Sequence, residues 1–214
     1  MKIIAASVGL LSLLFPGEPV LAEEGKPPEK LNASAVNSSS QIAQPRNSDI
    51  RVKVENDGEQ IIINATFTVP AEPQLVWAVL TDFDNIPNFI SSIRSSKVVG
   101  RSGNDVHVSQ HAVEKYTFLT IEFESVRKIH LTPFRKIHER MISGSMRKME
   151  ETTQLLPEGD HTRIVYHAQI IPNVWILRFI GPHFIENEAR KQFQEISNEI
   201  IRRKRVLVTG IVRR

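Results

Sequence analysis

Cysteine is missing altogether from these 214 residues. That excludes a disulfide framework, thiolate zinc or iron–sulfur sites, a cysteine nucleophile and a lipid-modified N-terminal cysteine. Also missing is any run of the roughly 18 apolar residues that a membrane-spanning helix requires. There is no Gly-x-Gly-x-x-Gly, no Gly-x-x-x-x-Gly-Lys and no Gly-x-Ser-x-Gly, so phosphate-cradling loops and a nucleophile elbow are excluded. No internal repeat is evident, and no acidic residue follows Glu199. What remains is an ordinary globular balance, 41% hydrophobic and 24% charged with 12 Pro and 10 Gly, long enough for one domain with a sizeable core.

The formal charge of +3 is unevenly placed. Arg202, Arg203, Lys204, Arg205, Arg213 and Arg214 all lie near one end, and the preceding chain from Glu23 to Ile201 is net acidic. A nucleic-acid platform wants a basic stripe across a folded face, which this distribution does not supply. A basic tail fits either attraction to an anionic membrane surface or a solvated end.

At the other end, Lys2 precedes an apolar stretch from Ile3 to Phe15, and Val20-Leu21-Ala22 places small or aliphatic residues where a signal peptidase reads them. The expectation is a signal peptide over 1–22, cut after Ala22, and a periplasmic or secreted protein. Residues 23–48 are polar and small, without aromatics or apolar periodicity, and are predicted to be a flexible linker. The folded domain is predicted over 49–205, with a basic tail over 206–214.

Within the domain, Ile50, Val52 and Val54 alternate with polar residues, Asn56-Asp57-Gly58 is turn chemistry, and Ile61 to Val69 is β-rich, so a hairpin is expected. Pro70-Ala71-Glu72-Pro73 stops the second strand. Two short helices follow, the first on Leu75, Val76, Val79 and Leu80, the second capped by Asn85 before Ile86, Phe89 and Ile90. Strand-like runs at about 96–100, 105–116, 118–131, 134–144, 147–156 and 162–171 are separated by links short enough only for antiparallel neighbours. Leu119, Ile121 and Phe123 alternate with Thr120, Glu122 and Glu124, and Ile164, Tyr166, Ala168 and Ile170 with polar residues, describing a sheet wet on one face. From Pro182, the stripe Ile185, Ala189, Phe193, Ile196 and Ile200 predicts a helix of about 20 residues covering the other face. The class is α+β: a curved antiparallel sheet wrapped around a long C-terminal helix.

Val69-Pro70-Ala71, Val76-Trp77, Leu80-Thr81-Asp82-Phe83 with Pro87 and Phe89, Val106-His107-Val108-Ser109-Gln110, Gly144, Gly159 with Thr162-Arg163-Ile164-Val165-Tyr166, and Pro172 together resemble the polyketide cyclase/START-like (SRPBCC) superfamily, nearest its coenzyme Q-binding and cyclase-type branch. The resemblance spans about residues 60–204. It implies a helix-grip fold, with two short helices after the first strand and an apolar cavity between sheet and last helix. It also implies hydrophobic ligands such as lipids, quinones or polyketides. It brings no shared catalytic set and no cofactor. Where members of this group often carry apolar inward residues after Gly144, this chain reads Met149, Glu151, Thr153, Leu155; if that phase faces inward, the cavity has a polar end.

Residues of inward phase give the candidate cavity: Phe123 and Met141 from strands, Tyr166 from the last strand and Phe193 from the helix, with Trp77 and Phe89 as a lid and Tyr166 or Gln110 orienting the ligand. Plain core packing is the competing reading for each. His107 and His111 stand roughly 13 Å apart on one strand face, too far for a single zinc, and His130 and His138 face each other without an evident carboxylate, so no metal is expected. Asp82 and Asp84 suit capping better than acid–base work. Lys128, Lys136 and Arg140 share a parity with His130 and His138; with Arg202, Arg203, Lys204 and Arg205 they form either a solvated face or a surface for an anionic bilayer. Three functions stay open: a monomeric exported carrier of a hydrophobic small molecule that binds no nucleic acid; a cyclase/aromatase-type enzyme in which Tyr166, Gln110 or Glu139 moves protons; and a membrane-surface module.

Overall fold

Alternating β-branched residues on either side of Asp57-Gly58 pair as the expected hairpin, β1 (Arg51–Asp57) with β2 (Gln60–Val69), and Gly58 takes the turn at φ +61°. The computed structural model describes residues 49–116, 119–172 and 181–212. The predicted signal peptide and linker lie outside the described residues. Proline then ends β2, and α1 (Pro73–Leu80) begins with Pro73 in its first turn, where its missing N–H has no partner to lose. The second short helix is 3-10 (Phe83–Asn88), with Pro87 inside it. Its N-cap is Asp82, not Asn85; Asn85 Nδ2 instead donates to Asp82 Oδ1 at 2.8 Å. Both helices follow the hairpin, so they come after the second strand of this chain, not the first.

A meander follows: β3 (Ile93–Ser102), β4 (Asp105–Tyr116), β5 (Leu119–Thr132), β6 (Lys136–Gly144), β7 (Met146–Glu158) and β8 (His161–Pro172). All pair antiparallel, in the order β1-β2-β8-β7-β6-β5-β4-β3. β2 meets β8 with Ile63 opposite Ala168 and Phe67 opposite Ile164, which joins the hairpin to the meander. Between β6 and β7 the chain turns at Gly144, where φ is +149° and a Cβ would stand 2.1 Å from the Glu124 carbonyl oxygen. Only glycine fits there.

The closing helix α2 (Pro182–Val212) has 31 residues, about half again the expected length. The segment from Val206 is therefore helical as far as the structure describes it. Phe193 and Ile200 are buried against the sheet, Ile201 is buried as well, and Phe193 packs on Phe67 and Tyr166 with ring centroids 5.2 and 5.1 Å away. Ser197 is buried on the same face because its hydroxyl donates to the Phe193 carbonyl one turn back at 2.8 Å. One core group joins β2, α1, Leu155, Ile164 and α2; a second gathers Phe83, Val106, Val108, Ile129 and Ile137. This is the helix-grip arrangement.

Candidate functional site

Strand alternation sends every second side chain toward α2. On β2 and β8 those positions are Ile, Ala, Phe and Val apart from Thr162 and Tyr166, and the helix packs on most of this row. On β4 to β7 the inward rows change character along each strand. Val106 and Val108 give way to Gln110 on β4, Ile129 to Arg127 on β5, and Ile137 to Glu139 on β6. On β7, Leu155 gives way to Thr153 and Glu151. The helix does not fill the space in front of these polar positions, and a cavity of about 370 Å³ remains. Its walls include Ile61 and Phe67 from β2, Ile86 from the 3-10 helix, Phe123 from β5, Met149 from β7 and Phe193 and Ile196 from α2. A volume of this size falls in the range for small-molecule pockets, which are mostly apolar with a few placed polar groups.

The polar groups form one cluster around Arg127, which is 9% exposed. Its Nη1 lies 2.8 Å from Glu139 Oε2 and 3.8 Å from Glu151 Oε2. Its Nη2 donates to Gln110 Oε1, and Gln110 Nε2 donates to Ser96 Oγ at 3.1 Å. Arg127 Nε is buried without a hydrogen-bond partner among the described residues. The Glu151 carboxyl is pushed up to about 7, first by burial and then by the Glu139 charge; the Arg127 guanidinium and a hydrogen bond from Tyr166 act against that rise. Burial, reinforced by the Glu151 and Glu139 charges, holds the Tyr166 hydroxyl well above the ordinary phenol range, so it stays a proton donor at neutral pH. Farther along the lining, burial and then the Glu188 charge raise the Glu114 carboxyl, which accepts from Gln192 Nε2 at 3.4 Å.

Of the residues predicted to line a cavity, Phe89, Gln110, Phe123, Tyr166 and Phe193 do so. Two do not. Trp77 packs against both core groups and edge-on to Phe134 at 5.8 Å, so α1 presents Val79 and Leu80 to the cavity instead. Met141 sits opposite Arg127 where the β5–β6 register is irregular, and β7 supplies Met146 and Met149 to the lining. The inward phase of Glu151 and Thr153 makes the polar end that the sequence raised conditionally. Arg127 is not among the residues predicted from sequence; its spacing of two from Ile129 is the signal for an inward position.

The basic patch takes a different form from the one expected. Lys128 Nζ lies 2.6 Å from Asp105, and His130 shares that carboxylate at 2.7 Å. His138, opposite His130, meets Glu150 at 3.0 Å. Lys136 and Arg140 are exposed. Arg202 and Arg203 both bind Glu199, Arg203 also binds Asp82 at 2.7 Å, and Lys204 donates to the Pro70 carbonyl at 2.6 Å. Asp84 accepts from the Val98 N–H at 2.9 Å, so both acids of that pair have structural partners. Among the described residues no three His, Asp or Glu converge to hold a metal ion.

Similar proteins match this architecture. The chain belongs to the polyketide cyclase/dehydrase and lipid transport family, whose model matches residues 69–196. Its fold is that of a STAR-related lipid transfer protein from Xanthomonas axonopodis (TM-score 0.61, 10% identity, 71% of this chain and 93% of that one). It is also that of the ZhuI aromatase/cyclase from a Streptomyces species (0.52, 15%, 67% and 95%) and of a START superfamily protein from Mycobacterium smegmatis (0.54, 12%, 68% and 98%). A search of the curated proteins returned no match. Family and fold place the function among hydrophobic-ligand binding and cyclase-type chemistry.

Proposed function

We propose that this protein is an exported carrier of an uncharged hydrophobic molecule that bears a carbonyl or hydroxyl oxygen, of the neutral-lipid or quinone class. The observation that carries the reading is a mostly apolar 370 Å³ cavity into which one cluster of polar side chains, Gln110, Arg127, Glu139, Glu151 and Tyr166, is gathered. A pocket of this make-up takes a largely apolar ligand and orients it through a few polar atoms such as a carbonyl or hydroxyl oxygen. Charge narrows the class. Glu114, Glu124, Glu139, Glu151 and Glu188 line the cavity against Arg127 alone among the described residues, so a ligand carboxylate or phosphate would meet repulsion where a carbonyl would not. Export rests on the Lys2 to Ala22 segment, and N-terminal sequencing of protein from its own cells should find Glu23 first.

The test is native mass spectrometry of the protein with decylubiquinone and, separately, with decanoate. A one-to-one complex with the quinone, weak or absent with the acid, is expected. Ala112→Trp, which fills the cavity from β4, should abolish it. Equal binding of decanoate, or no quinone complex, would overturn the ligand class. A second reading, cyclase-type catalysis, is favoured by Glu151: a carboxyl near pH 7 beside a protonated Tyr166 can exchange protons with a bound carbonyl chain. Turnover of a poly-β-carbonyl substrate that disappears in Glu151→Gln, with ligand binding retained, would establish it.

A further inference from the structure

Among the described residues, the end of α2 is where exposed large apolar side chains follow one another in sequence. Val206, Leu207 and Val208 are 60%, 57% and 48% exposed. Successive helix positions are about 100° apart, so these three residues point to three different sides. A protein groove takes one apolar stripe of a helix; a helix end that is apolar on several sides at once suits an environment that surrounds it. The chemistry on either side of the segment is cationic. Arg202 to Arg205 precede it, Arg213-Arg214 follow it, and no acid occurs after Glu199.

The helix end is also held in place. Arg203 is tied to Asp82 and Lys204 to the Pro70 carbonyl, which braces the helix just before Val206. The side chains of Arg202 and Arg205 remain exposed. On this basis we propose that the end of α2 docks the protein on an anionic membrane surface, with Val206, Leu207 and Val208 entering the boundary between headgroups and acyl chains. The seven residues from Val206 to Val212 span roughly 10 Å as a helix, too short to cross a bilayer. The arginines on both flanks keep the segment in the interface, where apolar burial and anionic lipid act together. This docking is independent of what the cavity holds.

The test is co-sedimentation of the full chain with vesicles of phosphatidylglycerol and phosphatidylcholine, and with vesicles of phosphatidylcholine alone, at low and high salt. Binding to the anionic vesicles, weakened by salt, is expected, and Leu207→Asp/Val208→Asp should lower it at least about tenfold. These side chains are exposed, so the urea midpoint of the variant should match that of the parent. Lys136→Glu/Arg140→Glu on the sheet should leave binding unchanged. The proposal is overturned if the parent does not bind, if the helix variant binds equally well, or if the sheet variant alone loses binding. It is also overturned if sedimentation analysis finds a dimer that the helix variant dissolves, which would assign the apolar end to a second copy of the chain.

Discussion

The two halves of the inner sheet face obey the same alternation and end differently. On β2 and β8, Ile63, Ala65, Phe67, Ile164 and Ala168 are sealed to 6% exposure or less against α2, with Ile63, Phe67 and Ile164 also forming part of the apolar wall of the cavity. On β4 to β7 the same inward phase reaches Gln110, Arg127, Glu139 and Glu151, and the space before them stays open. The first half is held by volume, the second by charge balance. A helix can lie tightly on aliphatic side chains, which interdigitate. It cannot seal over a guanidinium and two carboxylates without satisfying every donor and acceptor among them.

Substitutions can sharpen or break that contrast. Arg127→Met should have the largest effect, about 4 kcal/mol, because it leaves Glu139 and Glu151 buried together without a cation. Urea unfolding checks it, and adding Glu139→Gln and Glu151→Gln should recover most of the loss. If it does not, packing rather than charge holds the open half. Ile200→Ala, in the sealed half, should cost about 3 kcal/mol by cavity formation. Met149→Ala, facing space that is already empty, should cost about 1 kcal/mol by the same measure, because little new void is created.

The pH dependence separates the halves further. The folded-state value of Glu151 is raised from 4.5 to about 7, so the native state holds its proton more tightly than the unfolded chain does. That contribution to stability is complete below about pH 4.5 and is lost as pH rises through about 7. Glu151→Gln should therefore match the parent at acid pH and exceed it by about 3 kcal/mol at pH 8, in paired urea titrations. As small an effect as that of Met149→Ala, about 1 kcal/mol, is expected for Phe134→Ala, which removes the edge-on contact with Trp77. Trp77 fluorescence should shift while ligand binding does not, since neither residue lines the cavity.

Much of the fold was legible because local rules agree with the final structure. The Asn56-Asp57-Gly58 turn, the proline stop at 70–73 and the strand alternation each depend on residues close in sequence. The helix length was not legible, since the apolar stripe ends near Ile201 and Val206, Val208, Thr209 and Gly210 are weak helix formers, yet the backbone stays helical to Val212. In the site, Phe123, Tyr166 and Phe193 followed from phase. Met141 did not, because an irregular β5–β6 register lies beside it. The carboxylates of His130 and His138 were hidden for a similar reason: Asp105 and Glu150 come from adjacent strands, 25 and 12 residues away in sequence.

By itself, then, the sequence determined which side of each strand faces α2, where the chain turns, and that an acid at 151 would share the phase of Met149. Those are consequences of a two-residue period and of backbone sterics. Only the tertiary structure decided that Arg127, Glu139, Glu151 and Gln110 meet, that Trp77 is packed away from the cavity, and that Arg203 and Lys204 brace the last helix. These depend on register across strands and on where the helix lies, and neither is contained in the period of any single strand.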